Sequence, residues 1–485
     1  MAPRTYDVII IGSGFGGQAA ALALRKRGIT DFVMLERRDF LGGTWCQNTY
    51  PGAAVDVPSP LYSIAGEPHP WSQLYAEQAE LRDYTEHLLA KHGLDRRAIT
   101  GAEVVGLEWC GDAWRVDTTE RGSFRARFVI DASGPLSNPA VPAFPGREEF
   151  AGEAFHSNAW DHTVDYRGKR VAVVGTGASA AQVIPAIQPD VAELHVFQRT
   201  PHWVLPRPDR QFTPRQRRMV ASGPGGRALR SAIYWSFEVR VLGFGYSETF
   251  MRLVARNSAL RHLEDQVEDP DLRARLTPDY EIGCKRIILS NTLYPALAAE
   301  NTTLHDRSDG IDRLDATGIV TSSGAHVDLD VIIWATGFDA TDGMIAYPVV
   351  GREGRLLSKT WDPFPRAYLG AAVPGYPNLF LITGPNTGTG HTSAVFMIES
   401  QLAYITRAID AVRSGGATAI EVTPKAEGDY TRRIQRHLQR TVWVRGGCAS
   451  WYQSESGHIV AMYPDFSFRF RLAATRFRPE HHVLH

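Results

Sequence analysis

Cysteine is scarce: the 485-residue chain has four, Cys46, Cys110, Cys284 and Cys448. None falls into a C-x-x-C or Cys/His spacing, so no zinc or other metal site is expected. A disulfide scaffold is not expected in a chain of this length. A flavin disulfide reductase is excluded as well, because it needs two redox cysteines close together in the chain. Charge of one sign is also lacking. The 52 basic and 53 acidic residues leave a formal net charge of −1, so no global field attracts nucleic acid or an anionic membrane surface. Only six of the 52 basic residues are Lys, a bias from which no function follows. No apolar run reaches the roughly 18 residues that span a bilayer, and the N-terminus MAPRTYDVIIIGSGFGG has no signal-peptide pattern. The expected setting is soluble, reducing and cytoplasmic, with small-molecule partners, no nucleic acid and a monomer or weak homodimer.

At 44% hydrophobic residues the chain can bury two or three substantial cores. DVIIIGSG, from Asp7 to Gly14, reads as a buried parallel strand running into a glycine turn. Gln18 to Arg27 has helical composition, and Phe32 to Glu36 is a second strand ending in a carboxylate. Gly12, Gly14 and Gly17 satisfy G-x-G-x-x-G: the first for the tight turn, the second for close approach of a pyrophosphate, the third for helix packing. Glu36, 19 residues after Gly17, stands where a carboxylate accepts ribose hydroxyls, which points to FAD.

The same grammar recurs from Arg170 to Gln188, with Gly175-Thr176-Gly177 at the turn and a strand from Glu193 to Gln198. That second strand ends not in an acid but in Gln198-Arg199-Thr200. A guanidinium and a hydroxyl there suit a 2′-phosphate, which favours NADPH over NADH. The stretch from about 208 to 280 is arginine-rich with Trp235, Phe237, Phe244 and Phe250, and reads as a helical insertion. Two further strand-to-turn pieces, Arg127 to Gly134 and Asp330 to Asp339, sit where the chain would leave a nucleotide domain, and Pro135 to Gly146, with four prolines, resembles a linker. The fold class expected is therefore α/β with two Rossmann-like dinucleotide-binding domains. Residues 1–140 and 340–485 form the FAD domain, and 141–339 the NADPH domain carrying the insertion. With two dinucleotides and no redox cysteine pair, oxygen chemistry remains.

Phe150-x-Gly152-x-x-x-His156-x-x-x-Trp160-Asp161 fills every fixed position of the type I Baeyer–Villiger monooxygenase fingerprint. The chain resembles that family over nearly its whole length, through Gly42-Gly43-Thr44-Trp45, Tyr50-Pro51-Gly52-Ala53, Ala335-Thr336-Gly337-Phe338-Asp339 and Ser450-Trp451-Tyr452. The resemblance implies attack of a flavin C4a-peroxide on a ketone and migration of carbon to oxygen, giving an ester or lactone. A permanent cation must stabilise the anions on that path. By the same resemblance Arg286, in Gly283-Cys284-Lys285-Arg286, is that cation, and Asp56 orients it. Lys285 joins Arg199 and Thr200 on the 2′-phosphate, and Trp451 closes over the nicotinamide or is a buried core residue. Thr44, Trp45, Tyr62, Val104, Thr176, Ser179 and Gln182 are also implied to be cofactor-binding. His156 and Trp160 belong to the hinge, not to the chemistry. A heteroatom or carbon-hydroxylating monooxygenase on the same scaffold is the alternative, and a non-catalytic flavin sensor a second. The chain departs from its relatives at Ala54-Val55, where many have Arg-Cys, in the glycine-rich wall loop from Gly384 to Ser393, at Ser456 to Ile459, and at Tyr463-Pro464. The substrate therefore does not transfer by resemblance, although the wall loop looks closer to the branch acting on aryl ketones or larger substrates.

Overall fold

Two sheets, one mixed around a parallel core and one parallel throughout, organise the protein. The computed structural model describes residues 4–246 and 251–485; Phe250 lies outside the described residues. In the first sheet Arg4–Ile11 lies between Phe32–Leu35 and Ser123–Asp131, parallel to both, with Ile9 opposite Val33 and Val129. Ala98–Ile99 extends it on one side, Leu379–Leu381 pairs parallel with Ser123–Asp131, and Val104–Trp109 and Trp114–Thr118 add antiparallel strands. Val8 to Ile10 are fully buried, as expected of a strand covered on both faces. The helix Phe15–Lys26 packs on the 22-residue helix Ala394–Gly415, which starts at the Ser393 cap and ends at Gly416 in the left-handed conformation.

The second sheet is parallel throughout, in the order Thr302–His305, Glu193–Phe197, Arg170–Val174, Val331–Trp334, Glu153–His156. The α/β class with two Rossmann-like units is the observed one. Between the two sheets the chain crosses twice, and the crossings lie side by side. Asp339 N–H donates to the Asn138 carbonyl at 3.0 Å, Ala140 N–H to Gly337 at 2.9 Å, and the Thr336 hydroxyl to Ala140 at 2.6 Å.

The arginine-rich stretch forms the helices Pro214–Ala221, Gly223–Glu238, Asn257–Gln266 and Pro270–Leu276. Thr213 and Gln216 make a capping box at the first of these. Cysteine spacing predicts no disulfide, yet Cys284 and Cys448 are bonded across a separation of 164 residues. The turn at 282–286 packs against the loop at 446–450, a juxtaposition that no local spacing encodes. Among the described residues, no helix is long and apolar enough to cross a membrane.

Candidate active site

The first glycine turn is held by contacts that only glycine permits. Gly12 has φ +96°, and a Cβ there would lie 2.6 Å from the Ala132 carbonyl oxygen. Glu36 directly follows its strand and is buried. Its Oε2 accepts from Ser13 N–H at 3.1 Å and from the Ser13 hydroxyl at 2.7 Å, and its Oε1 from Arg38 N–H at 3.2 Å. The carboxylate thus joins the ends of two adjacent strands and keeps acceptor capacity toward the turn. Gly14 backs onto Gly43, next to the short helix Thr44–Gln47. Trp45 Nε1 lies 3.4 Å from the Tyr62 hydroxyl with the rings edge to face, and Thr44 is exposed. Val104 is buried at the start of its strand, opposite Thr118. A buried acceptor, a glycine turn and a helix N-terminus fit a dinucleotide pyrophosphate and ribose.

The second turn fits one too. Gly175 has φ +114°, and a Cβ on Gly177 would meet no atom within 4 Å, which leaves space for a phosphate at the start of Ala180–Ile187. The Thr176 hydroxyl donates to the Thr200 carbonyl at 3.0 Å and ties the turn to the end of the next strand. Arg199 there is exposed. Lys285 arrives from a different part of the chain; burial and then the nearby Arg199 charge lower its pKa. His202 is pushed down to about 4, first by burial and then by Lys285 and Arg199. Among the described residues neither Arg199 nor Lys285 forms an ion pair. A lysine whose charged form is disfavoured by burial and by a neighbouring arginine suits an anion. Ser179 and Gln182 are both engaged with Tyr50. Ser179 interacts with the Tyr50 hydroxyl, while the Gln182 amide accepts from Tyr50 at 3.0 Å and donates to the Ala54 carbonyl at 2.9 Å. Gln182 is a strut between the two sheets' territories.

Between the turns stands Arg286, 30% exposed. Its Nε donates to Asp56 Oδ2 at 2.8 Å, Nη2 lies 2.7 Å from the same oxygen, and Nη1 donates to the Thr389 carbonyl at 3.3 Å. Two nitrogens of one guanidinium edge therefore converge on one carboxylate oxygen. The Asp56 charge raises the Arg286 pKa further, so the cation is permanent. Asp56 itself is placed by the extended Ala53–Val55 backbone, whose Val55 N–H donates to Ala76 at 3.1 Å. Ala54 and Val55 are buried. Gly283, at φ +92°, makes the turn that delivers Lys285 to one side and Arg286 to the other.

Three further groups shape this region. Tyr452 is 2% exposed and Trp451 45%, so Trp451 is not a core residue and the neighbour is the one facing Arg286. Burial pushes the Tyr452 phenol up to about 12, against the pull of the guanidinium. Glu238 and His391 are both buried, with Glu238 Oε2 3.7 Å from His391 Nε2. Tyr234 donates to Glu238 Oε1 at 2.7 Å, and Ser467 donates to the same oxygen. Burial alone would raise the Glu238 pKa; His391, Ser467 and Tyr234 together bring it below the ordinary value. This cluster pins the insertion helix to the wall loop that supplies the Thr389 carbonyl. Tyr452 stood in a recognised motif, whereas Glu238 and His391 carry no sequence signal of their own. The fingerprint lies at the crossings: His156 is buried with its ring 5.6 Å from Phe338, and Trp160 packs on Phe155 at 5.1 Å.

Two glycine turns on separate parallel sheets, a cationic pair beside the second and an oriented arginine between them make a flavoprotein monooxygenase that draws electrons from NADPH. The pyridine nucleotide-disulphide oxidoreductase family model matches residues 9–223, and the two cysteines in that stretch, Cys46 and Cys110, are free thiols. A Baeyer–Villiger monooxygenase of Pseudomonas aeruginosa is 43% identical over 98% of this chain and 91% of its own, and one of Streptomyces coelicolor 43% over 97% and 91%. The solved structure of an oxidised steroid monooxygenase bound to NADP superposes with a TM-score of 0.88 at 31% identity, over 99% of both chains. The chain belongs to the Baeyer–Villiger monooxygenase family.

Proposed function

We propose that this enzyme inserts one atom of O2 beside the carbonyl of a ketone, giving an ester or lactone, and that Arg286 is the cation that stabilises the negative charge developing on oxygen. The observation that carries the reading is the Arg286 guanidinium held by Asp56 and the Thr389 carbonyl. Bound FAD, reduced by NADPH, supplies the two-electron activation of oxygen. The chain's part is to bind, orient and shield. Gly12, Gly14, Gly17, Glu36, Thr44, Trp45, Tyr62 and Val104 hold the FAD. Gly175, Thr176, Gly177, Ser179, Arg199, Thr200 and Lys285 hold NADPH, with the two cations on its 2′-phosphate, and Trp451 folds over the nicotinamide side. Gln182 joins them on the NADPH side and also ties its helix to Tyr50 and Ala54. Residues 1–140 with 340–485 act as the FAD domain and 141–339 as the NADPH domain.

A preorganised charge that meets the reacting oxygen is worth about 10²- to 10³-fold in rate. Arg286→Ala is therefore expected to cut ester formation by about that factor while NADPH still reduces the flavin, the oxygen consumed then appearing as hydrogen peroxide. Stopped-flow flavin absorbance with product analysis on a ketone and a sulfide measures both. Ester formation undiminished in Arg286→Ala would overturn the assignment, and product from the sulfide alone would move the enzyme to heteroatom oxidation.

A further inference from the structure

Cys284 stands two residues before Arg286, and Cys448 four before Tyr452. The disulfide between them therefore joins the turn that delivers the arginine to the loop that bears Tyr452. Cys284 is fully buried and Cys448 half-buried. Apart from the bond, the two segments meet through Glu281 N–H donating to the Gly446 carbonyl at 2.9 Å. The other two cysteines are unpaired, Cys110 on the surface and Cys46 with its thiol pushed up to about 11 by burial. The one bonded pair thus clasps the reaction site.

We propose that Cys284 and Cys448 form a reversible redox modification site, closed by hydrogen peroxide and opened by a dithiol reductant, which clamps the 446–453 loop over Arg286. Its effect on oxygen use rests on the function proposed above; the pairing does not. The half-buried sulfur is the one reagents reach. In closing, the Cys448 thiolate attacks a peroxide oxygen and the O–O bond breaks. The products are a sulfenic acid and hydroxide, which takes up the thiol proton as water. Cys284 sulfur then displaces hydroxyl from the sulfenic sulfur, and its proton leaves with that hydroxyl as a second water. Two thiols and one peroxide give one disulfide and two waters. In opening, a dithiol attacks Cys448 sulfur, Cys284 leaves as thiolate and takes a proton, and the reductant's second thiol resolves the mixed disulfide, becoming a disulfide itself.

Hydrogen peroxide is what a flavin monooxygenase releases when oxygen is reduced but not transferred, so the oxidant arises at the site it modifies. With the bond closed, Tyr452 stays buried near the guanidinium and the loop is held in place. With it open, the loop bearing Trp451 and Tyr452 moves more freely and the leak rises. The clamp is then a feedback on wasted oxygen.

The test uses the FAD-loaded enzyme, treated with hydrogen peroxide or dithiothreitol, freed of reagent, and compared by differential alkylation with peptide mass mapping, by hydrogen exchange of residues 446–453, and by peroxide release under NADPH with no ketone present. After peroxide, Cys284 and Cys448 are expected to resist alkylation. After dithiothreitol both react, the loop exchanges at least about fivefold faster and peroxide release rises at least about threefold. Cys448→Ser should match the reduced enzyme under both treatments, and Cys110→Ser should respond like the wild type. Full alkylation of Cys284 and Cys448 after peroxide would overturn the site. A bond that opens without changing loop exchange or peroxide release would overturn the clamp, as would a Cys448→Ser enzyme that still responds. A failure of ketone oxygenation would leave all three readouts intact and so be told apart.

Discussion

Lys285 and Arg286 are neighbours in sequence with opposite assignments, one facing Arg199 and the other Asp56. Removing either cation of the first pair should act on cofactor choice alone. Charge-assisted hydrogen bonds to a phosphate are worth about 1.5–3 kcal/mol, so Lys285→Ala and Arg199→Ala are each expected to reduce the preference for NADPH over NADH by about 10- to 100-fold, read as the ratio of kcat/KM for flavin reduction. His202, beside them, gives a pH signature. Its imidazole is neutral in the fold down to about 4, whereas its ordinary pKa is 6.5. Between those values the unfolded chain binds more protons, so stability is complete above the window and is lost as pH falls through it. His305, likewise pushed to about 4 by burial, adds to the slope. The melting temperature should fall from about pH 7 to about pH 5, and His202→Gln should flatten that fall.

At the scale of elements, the insertion helix Gly223–Glu238 ends in a carboxylate, where the helix dipole disfavours one. Glu238 persists because Tyr234, Ser467 and His391 surround it. Glu238→Ala leaves those groups buried without their acceptor and is expected to cost about 3 kcal/mol, measured from the urea midpoint, with Glu238→Gln costing less. Because the same loop presents the Thr389 carbonyl to Arg286, the Ala variant should also lose oxygenation in excess of flavin reduction. Most elements here were legible in the chain. The strands Phe32–Leu35, Arg170–Val174 and Val331–Trp334 lie within the apolar runs that announced them, since a buried parallel strand shows its burial in every residue. Glu238–His391 was not legible, because a charged pair on a helix end and a loop has no period to betray it.

At the scale of the molecule, the two chain crossings run antiparallel, with Pro139 bridged to Phe338, and the His156 ring rests on Phe338. The fingerprint therefore packs on the segment that joins the two halves. His156→Ala is expected to slow flavin reduction by NADPH about tenfold while the ratio of ester to hydrogen peroxide stays unchanged, a split that rapid-reaction traces and product analysis resolve. Gln182, bonded to both Tyr50 and Ala54, holds the same relation from the other side. Its sequence position in a dinucleotide-binding helix points to a cofactor contact, and its side chain also packs against the Tyr50–Ala54 segment.

From its letters alone the chain determined two glycine turns, an acidic end to one second strand and a basic end to the other, and the class of cofactors these admit. Such features are local: a turn, a strand end and a helix start are encoded within about 30 residues, where backbone geometry and burial leave a pattern. The fingerprint and the Lys285-Arg286 pair became informative through likeness to a family. Tertiary structure alone decided that Cys284 meets Cys448, that Thr389 lends a carbonyl to Arg286, and that Tyr452 lies buried beside it while Trp451 faces solvent. The contacts among these join segments 103 or more residues apart. What brings them together is the packing of two sheets and an insertion, not any preference of the residues themselves.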